Sequence, residues 1–262
     1  MTQPPLFKPC AVIPVYNHGR TAGRVAASLA RHHLPVILVD DGSDAETKTA
    51  LAAVVRDVPG CVLHTLPENT GKGGAVSHGL IKAFEAGFSH ALQVDADGQH
   101  NLEPVDLFLR EAGKDPDALI GGRPIYDESV PKGRKIGRGI TNFWVTIETL
   151  SRDIPDAMCG FRVYPLAPCH RLLTTRRLRR RMEFDIEILV RLHWRGVRMR
   201  FLPVPVTYPP DGLSHFRMFR DNLAISLMHT RLFFGMIFRF PVIIFRRLKR
   251  LRLGRKRHGA LG

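Results

Sequence analysis

Five short apolar runs, each ending in a cluster of polar and glycine residues, leave this chain few ways to fold. CAVIPVY (10–16), VILVD (36–40), CVLHTL (61–66), HALQVDAD (90–97) and DALIGGR (117–123) are rich in aliphatic and β-branched residues and read as strands. Helix-like stretches follow the first three, reaching residue 29, reaching residue 55, and covering 76–86. Strands that are apolar on both faces need cover on both faces, which strand–helix alternation supplies around a parallel sheet. The expected fold class is therefore α/β, a mostly parallel sheet flanked by helices. In such sheets ligands bind beyond the carboxyl ends of the strands. That rule gathers PVYN, DDGSD, ENTGKGG, DADGQH and GGR along one rim.

The second half follows another pattern. Residues 136–150 and MEFDIEILVRLHWRG (182–196) read as helices, and VRMRFLPVPVTYPP (197–210) as a late strand closing on a proline-rich turn. From Phe216 onward the sequence is basic and amphipathic. No internal repeat or low-complexity linker divides the chain, so one domain with a C-terminal appendage is expected.

Charge is unevenly spread. The 262 residues carry 39 Lys+Arg against 24 Asp+Glu, a formal +15. Such an excess calls for a polyanionic partner: nucleic acid, an anionic lipid surface or a phosphorylated substrate. Nine of the basic residues and no acid fall in 239–262, which leaves +6 on the first 238 residues. In that tail, HTRLFFGMIFRFPVIIFRRLKRLRLGRKR interleaves bulky apolar side chains with arginines, as segments lying in an anionic membrane interface do. Pro241 is expected to interrupt any continuous helix there. No uninterrupted apolar run reaches about 18 residues, so attachment to a membrane surface is expected rather than a span. Nucleic acid is set aside as a partner, because no binding module or aromatic-stacking motif is present. Cys10, Cys61, Cys159 and Cys169 form no CxxC pair, and MTQPPLFKPC lacks a signal-peptide pattern. Both point to reduced thiols and a cytoplasmic protein.

The densest constellation on the rim is LQVDADGQHN (92–101). Asp95 and Asp97, two apart at a strand end, point to one side, and their repulsion calls for water or a cation between them. Mg²⁺ or Mn²⁺ would take such oxygen ligands and keep positions open for phosphates. Gln99 can add a neutral oxygen, and His100 is a weaker candidate. Alone, an Asp-x-Asp is more often a solvated loop; its place after a buried strand on a shared rim favours metal. ENTGKGGAVSHG (68–79) lacks the P-loop spacing between its first glycine and its Gly-Lys pair. Gly71, Gly73 and Gly74 can let the backbone approach a ligand while Lys72 meets a phosphate or ribose, or the segment is simply a helix start after a flexible turn. In VDDGSDAET, Ser43 or Asp44 can cap the next helix, and Asp40 or Asp41 can accept a base N–H. Arg123, Arg162 and RRLRRR (176–181), the last followed by Glu183 and Asp185, offer bidentate phosphate contacts or form solvated loops.

Taken in order, IPVYN (13–17), VDDGSD (39–44), NTGKGGA (69–75), VDADGQH (94–100), GGR (121–123) and D-x-x-CGFR (156–162) resemble inverting glycosyltransferases of family 2. The similarity is greatest to the polyprenyl (dolichyl) phosphate mannose synthase-like group and covers roughly residues 10–210. The resemblance implies a GT-A, Rossmann-like fold over 1–215, with a nucleotide-sugar and metal half (8–125), an acceptor half (126–215), and a basic amphipathic segment at 216–262. It places Pro14, Tyr16 and Asn17 beside the nucleotide, Asp41 on the base and Lys72 on the nucleoside. Asp95, Asp97 and Gln99 would hold the divalent metal on the diphosphate; Arg123 would face phosphate, and Asp156 and Arg162 would lie near the acceptor. Two departures stand out. Cys159 occupies a position where many relatives have serine, and DGLSHFR (211–217) stands roughly where the synthases bind phosphate, with His215 in place of a lysine and Arg217 close by.

The implied activity is metal-dependent, inverting transfer of a sugar from a UDP- or GDP-linked donor to a lipid-linked acceptor at the inner face of the cell membrane. Metal and arginines would stabilise the charge that develops on the leaving diphosphate. A phosphate acceptor is already ionised, whereas a glycolipid hydroxyl needs a carboxylate base within reach. Asp156 is the first expectation for that base, followed by Glu183 and Asp185. Two other readings stay open: a sugar-nucleotide pyrophosphorylase, whose GxGTR-type loop is missing here, and a non-catalytic basic adaptor that has kept the fold.

Overall fold

The computed structural model describes residues 6–126, 130, 132–206 and 218–258. Its strands are β1 (Pro9–Val15), β2 (Val36–Asp40), β3 (Cys61–Thr65), β4 (His90–Gln93), β5 (Ala118–Tyr126), β6 (Arg162–Pro165) and β7 (Arg198–Val206). The helices are α1 (Gly19–Ala30), α2 (Ala45–Asp57), α3 (Lys72–Glu85), α4 (Val105–Lys114), α5 (Lys132–Thr149), α6 (Leu166–Thr175), α7 (Phe184–Trp194) and α8 (Met218–His258). The strands form one sheet in the order β3-β2-β1-β4-β6-β5-β7. All pairings are parallel except those of β6, which runs antiparallel to both β4 and β5.

Alternation along β1 shows how the sheet divides the core. Cys10 and Val12 face one layer with α3, α6, α7 and the buried side of α8. Ala11, Ile13 and Val15 face the other, with α1, α2 and α4. All five residues of β2 are buried, as its unbroken apolar run requires.

Three elements depart from expectation. β4 ends at Gln93, because its partner β6 begins opposite at Arg162; Asp95 and Asp97 therefore lie on the loop beyond the strand. α3 starts at Lys72 rather than 76, so the glycine-rich segment is its first turn. α8 runs unbroken from Met218 to His258 with Pro241 inside it. Proline removes one backbone donor, but Ile237 and Pro241 are both exposed, so water can satisfy the carbonyl left over.

α8 is bound more closely to the domain than an appendage would be. Ile225, Met228, Leu232, Met236 and Ile243 recur at helical spacing and join the core around α5 and α7. Arg239 lies over the Trp194 ring at 4.9 Å, and Arg246 donates to the Trp194 carbonyl, so two tail arginines serve docking. The segment Phe219–Arg246 (28 residues), whose most apolar window has a mean hydropathy of 1.4, is long and apolar enough to cross a membrane by length and composition. Run length hid this in the sequence, because polar residues and arginines punctuate the segment.

Close packing of α3 on the sheet gives a test. A Cβ on Gly79 would stand 2.4 Å from Val12 Cγ1 and 3.1 Å from Val39 Cγ2, whereas one on Gly139 of α5 would meet nothing within 4 Å. Gly79→Ala is expected to lower stability by about 1–3 kcal/mol in urea unfolding. Gly139→Ala should raise it by up to about 1 kcal/mol, since alanine favours a helix where glycine does not.

Candidate active site

The rim is tied together by its own polar side chains. After β1, Asn17 adopts φ +56°, a left-handed conformation that asparagine tolerates. Its N–H donates to Ser43 Oγ and its side-chain oxygen accepts the Asp44 N–H, both at 3.0 Å. Asp44 in turn caps α2 through the Thr47 N–H at 2.8 Å. Asp41 is buried, and its carboxylate accepts the Thr70 N–H and hydroxyl (2.7 Å each) and the Gly71 N–H (2.8 Å). The β2 end thereby fixes the loop that opens α3.

The glycines of that loop make room for the chain itself. A Cβ on Gly71 would lie 2.6 Å from the Arg180 carbonyl oxygen, and one on Gly73 would lie 2.2 Å from Phe184 Cβ. The Gly74 N–H donates to the Arg180 oxygen at 3.0 Å. This close seating brings the start of α7, with Asp185, under the first turn of α3.

Lys72 then finds partners that the sequence reading did not assign to it. Its ammonium lies 2.8 Å from Asp95 Oδ1 and 2.8 Å from Asp185 Oδ2 rather than on an open nucleoside surface. Burial opposes its charge, but the two carboxylates overcome this and hold the ammonium above its ordinary range. Asp95 likewise resists burial through Lys72, and its carboxyl lies well below the usual carboxylate range. Asp97 is raised, by burial and by the negative charge of Asp95; it accepts the Gln99 N–H at 3.0 Å. His100, left unassigned by the sequence, brings Nε2 to 3.8 Å from Asp95 Oδ2.

CGFR supports this group from below. A Cβ on Gly160 would stand 2.6 Å from Asp95 Oδ2, so only glycine lets the carboxylate settle there. Arg162 was expected near the acceptor, but it is fully buried and does not line the cleft. Its guanidinium donates to the Asp185 carbonyl (2.7 Å), the Ala157 carbonyl (2.8 Å) and the Tyr164 hydroxyl (3.2 Å), and it stands 3.8 Å from Asp185 Oδ1. Tyr164 passes the network to Gln93, which reaches Asp185 Oδ1 at 3.4 Å.

Other expected residues are also relocated. Arg123 is exposed on β5 and does not line the cleft; its neighbour Pro124 does, as alternation requires. Asp156 is buried and accepts the N–H groups of Met158 (2.9 Å) and Cys159 (2.8 Å), with Arg138 at 3.4 Å. It braces the loop before β6 instead of facing the cleft. Glu183 lines a smaller cavity of about 700 Å³ with Arg177, Arg179–Arg181 and Arg220. His215 and Arg217 lie outside the described residues.

A cleft of about 1610 Å³ collects the rest. At one end it is lined by Pro14, Tyr16, Asp41, Lys72, Asp95, Asp97, Gln99 and Asp185. From there it runs between α5 and α8, past Arg138, Trp144, Ile225, His229 and Phe233, none of which the sequence singled out. Among the described residues no three His, Cys, Asp or Glu side chains form a ready-made metal centre. Asp95 and Asp97 nevertheless fit a hard divalent cation that completes its shell with phosphate and water. Burial and the charge of Asp95 disfavour an ionised Asp97, a penalty that a cation between the two carboxylates would relieve.

The ion pair yields a signed prediction. Because Lys72 depresses the Asp95 carboxyl, its contribution to stability is complete above about pH 4. It declines below that, toward the depressed folded value. Lys72→Met should cost about 3 kcal/mol near neutral pH. The deficit should shrink near pH 3, where Asp95 of the variant discharges by binding a proton. Urea unfolding at both pH values checks this, and equal deficits would assign the effect to the lysine stem.

Comparison with known proteins places this arrangement. The profile described as Glycosyl transferase family 2 matches residues 10–173. The dolichyl-phosphate beta-glucosyltransferase of Dictyostelium discoideum is 28% identical over 164 residues, which cover 59% of this chain and 49% of the relative. The chain thus spans about half the length of that protein. The undecaprenyl-phosphate mannosyltransferase of Micrococcus luteus is 26% identical, with 79% of this chain and 86% of the relative covered. Among solved structures, glucosyl-3-phosphoglycerate synthase from Mycobacterium tuberculosis, in complex with Mn²⁺, UDP-glucose and phosphoglyceric acid, superposes with a TM-score of 0.56. That match, at 16% identity, covers 89% of this chain and 80% of the other and shows a shared GT-A fold. With its profile match spanning most of the sheet and the rim carboxylates Asp41, Asp95 and Asp97, this chain belongs to glycosyl transferase family 2.

Proposed function

We propose that this protein transfers a sugar from a UDP- or GDP-linked donor to a polyprenyl-type phosphate at an anionic membrane surface. The observation that carries the reading is the continuity of one cleft, from the carboxylate rim into an arm between α5 and α8. The names of the relatives, which include transferases to dolichyl and undecaprenyl phosphate, support it.

On the donor side, Pro14 and Tyr16 line the rim end of the cleft beside Asp41. Asp41 spends three acceptor positions on Thr70 and Gly71. A carboxylate has about four, which leaves one for a base N–H. Asp95 and Asp97, with Gln99 beside them, would hold Mg²⁺ or Mn²⁺, which supplies Lewis-acid neutralisation of the diphosphate. Lys72 keeps Asp95 ionised and in place for that role.

On the acceptor side, the expected bases are committed elsewhere. Asp156 holds backbone N–H groups, Glu183 lines a different cavity, and Asp185 is paired to Lys72. A hydroxyl nucleophile would lack a free base among them, whereas an ionised phosphate needs none. That favours the phosphate acceptor.

The membrane reading gains a second helix. Ile136, Ile140 and Phe143 of α5 are exposed, as are Leu223, Leu227, Phe234 and Phe238 of α8. Arg134, Lys135, Arg220 and Arg231 are exposed on the same two helices. Apolar side chains flanked by cations suit the interface of an anionic leaflet, which supports a location on the cytoplasmic face.

Two experiments test the reading. Purified protein given UDP- or GDP-sugars and undecaprenyl phosphate should form a lipid-linked sugar and release the nucleoside diphosphate. Asp97→Asn should lower kcat on the order of 10²-fold, and chelator should abolish turnover. Turnover untouched by both would remove the metal, and pyrophosphate release would replace the reaction class. In flotation with anionic liposomes, Phe143→Ser combined with Phe234→Ser should weaken binding severalfold, and unchanged flotation would rule out the α5–α8 face.

A further inference from the structure

The arm of the cleft between α5 and α8 holds a polar pair that the reading above does not use. Glu148 of α5 is 0% exposed and His229 of α8 is 6% exposed, with Oε1 and Nδ1 2.7 Å apart. Both residues present a second polar atom, Glu148 Oε2 and His229 Nε2, that is buried without a hydrogen-bond partner among the described residues. Apolar side chains flank the pair: His229 lines the cleft with Ile225 and Phe233, and its ring centroid lies 6.4 Å from that of Trp144. An unmet polar atom in such a place costs stability, so its retention calls for an explanation.

Electroneutrality fixes what Nε2 carries. Burial disfavours a lone Glu148 carboxylate, so the electroneutral forms of the pair are the ones that avoid an uncompensated buried charge. Either the imidazole is protonated against a carboxylate, or the carboxyl donates to Nδ1 of a neutral ring. In the first form both ring nitrogens bear hydrogen, and in the second the ring hydrogen sits on Nε2. Both forms present Nε2–H, so the group is a donor and does not act as a base.

We infer that Glu148 and His229 form an acceptor-anchoring pair, in which Nε2–H of His229 donates to an anionic oxygen of the lipid phosphate lodged between α5 and α8. The assignment rests on the phosphate-acceptor reading above. Glu148 does not touch the ligand; it holds the ring and keeps the proton on Nε2. On α8, Asn222, Ser226 and Thr230 line the same cleft one turn apart, a polar stripe along which a headgroup can pass. The phosphate would be held by a hydrogen bond strengthened by its charge and by the low polarity around it.

Trp144 lies beside the pair and is one of only two tryptophans, so its fluorescence reports on the site. Farnesyl phosphate and farnesol are titrated against the full chain, with no donor present. The wild type should bind the phosphate about ten-fold or more tightly than the alcohol, as a charge-assisted hydrogen bond provides. Replacing both partners, Glu148→Gln with His229→Met, leaves no charge buried alone and should erase that preference while farnesol binding is kept. His229→Gln, whose amide can present N–H in place of Nε2–H, should retain most of the preference, a rescue that a purely structural role would not produce. A double variant that still prefers the phosphate overturns the anchoring pair and leaves the phosphate-acceptor reading standing. A wild type indifferent to the phosphate overturns both.

Discussion

The ammonium of Lys72 holds three distant pieces of chain against one another. It rises from the first turn of α3 and meets Asp95, from the loop after β4, and Asp185, from the first turn of α7. Without a cation at that point two carboxylates would face each other in a poorly solvated pocket, where like charges repel strongly. The contact works only because α3 and the 180–184 segment approach so closely, and that approach requires Gly71 and Gly73. The glycine-rich loop is thus a joint between the two halves of the domain before it is a contact for any ligand.

Beneath this joint the polar groups are linked in sequence. Arg162 ties the Asp185 and Ala157 carbonyls, Tyr164 takes one guanidinium N–H and donates to Gln93, and Gln93 donates to Asp185. A buried arginine is costly alone but rigidifying where its terminal nitrogens are bonded, as here, although Nε finds no partner among the described residues. The antiparallel strand β6 is what carries Arg162 to this position, opposite Gln93. Carboxylates held this firmly present one arrangement to a ligand, as electrostatic preorganisation demands.

The sheet and its rim were legible because their signals are local. Apolar runs set β1, β2 and β3 nearly to the residue, and the polar clusters after them do meet at one edge. What escaped depends on distant partners. Arg162 sits in a motif with every mark of a functional arginine, and only the fold shows that Ala157 and Asp185 claim its donors. Asp156 looked like a base because its two backbone donors, Met158 and Cys159, are invisible as such in a sequence. Strand β6 was hidden inside a motif read for its chemistry. Pro241 misled in the opposite sense: its rule concerns a lost hydrogen bond, and exposure there makes the loss cheap. A lone histidine in an apolar helix carried no signal until α5 placed Glu148 beside it.

α8 reconciles demands that a simple amphipathic helix cannot meet. One stripe, from Ile225 to Ile243, is spent on the domain core, and another, with Leu227, Phe234 and Phe238, is left facing outward. Between them runs the stripe with Asn222, Ser226, His229 and Thr230, turned toward the cleft. With three such faces, the most apolar window of Phe219–Arg246 reaches a mean hydropathy of 1.4 while only 28% of it is buried. A helix meant only to pack would bury more of its apolar surface, and one meant only to float on lipid would not keep a histidine paired to a buried glutamate. The composition of α8 is thus that of a helix that packs on the domain along one stripe, lines a cleft along a second and leaves a third apolar and exposed, which is what a cleft opening between α5 and α8 requires of it.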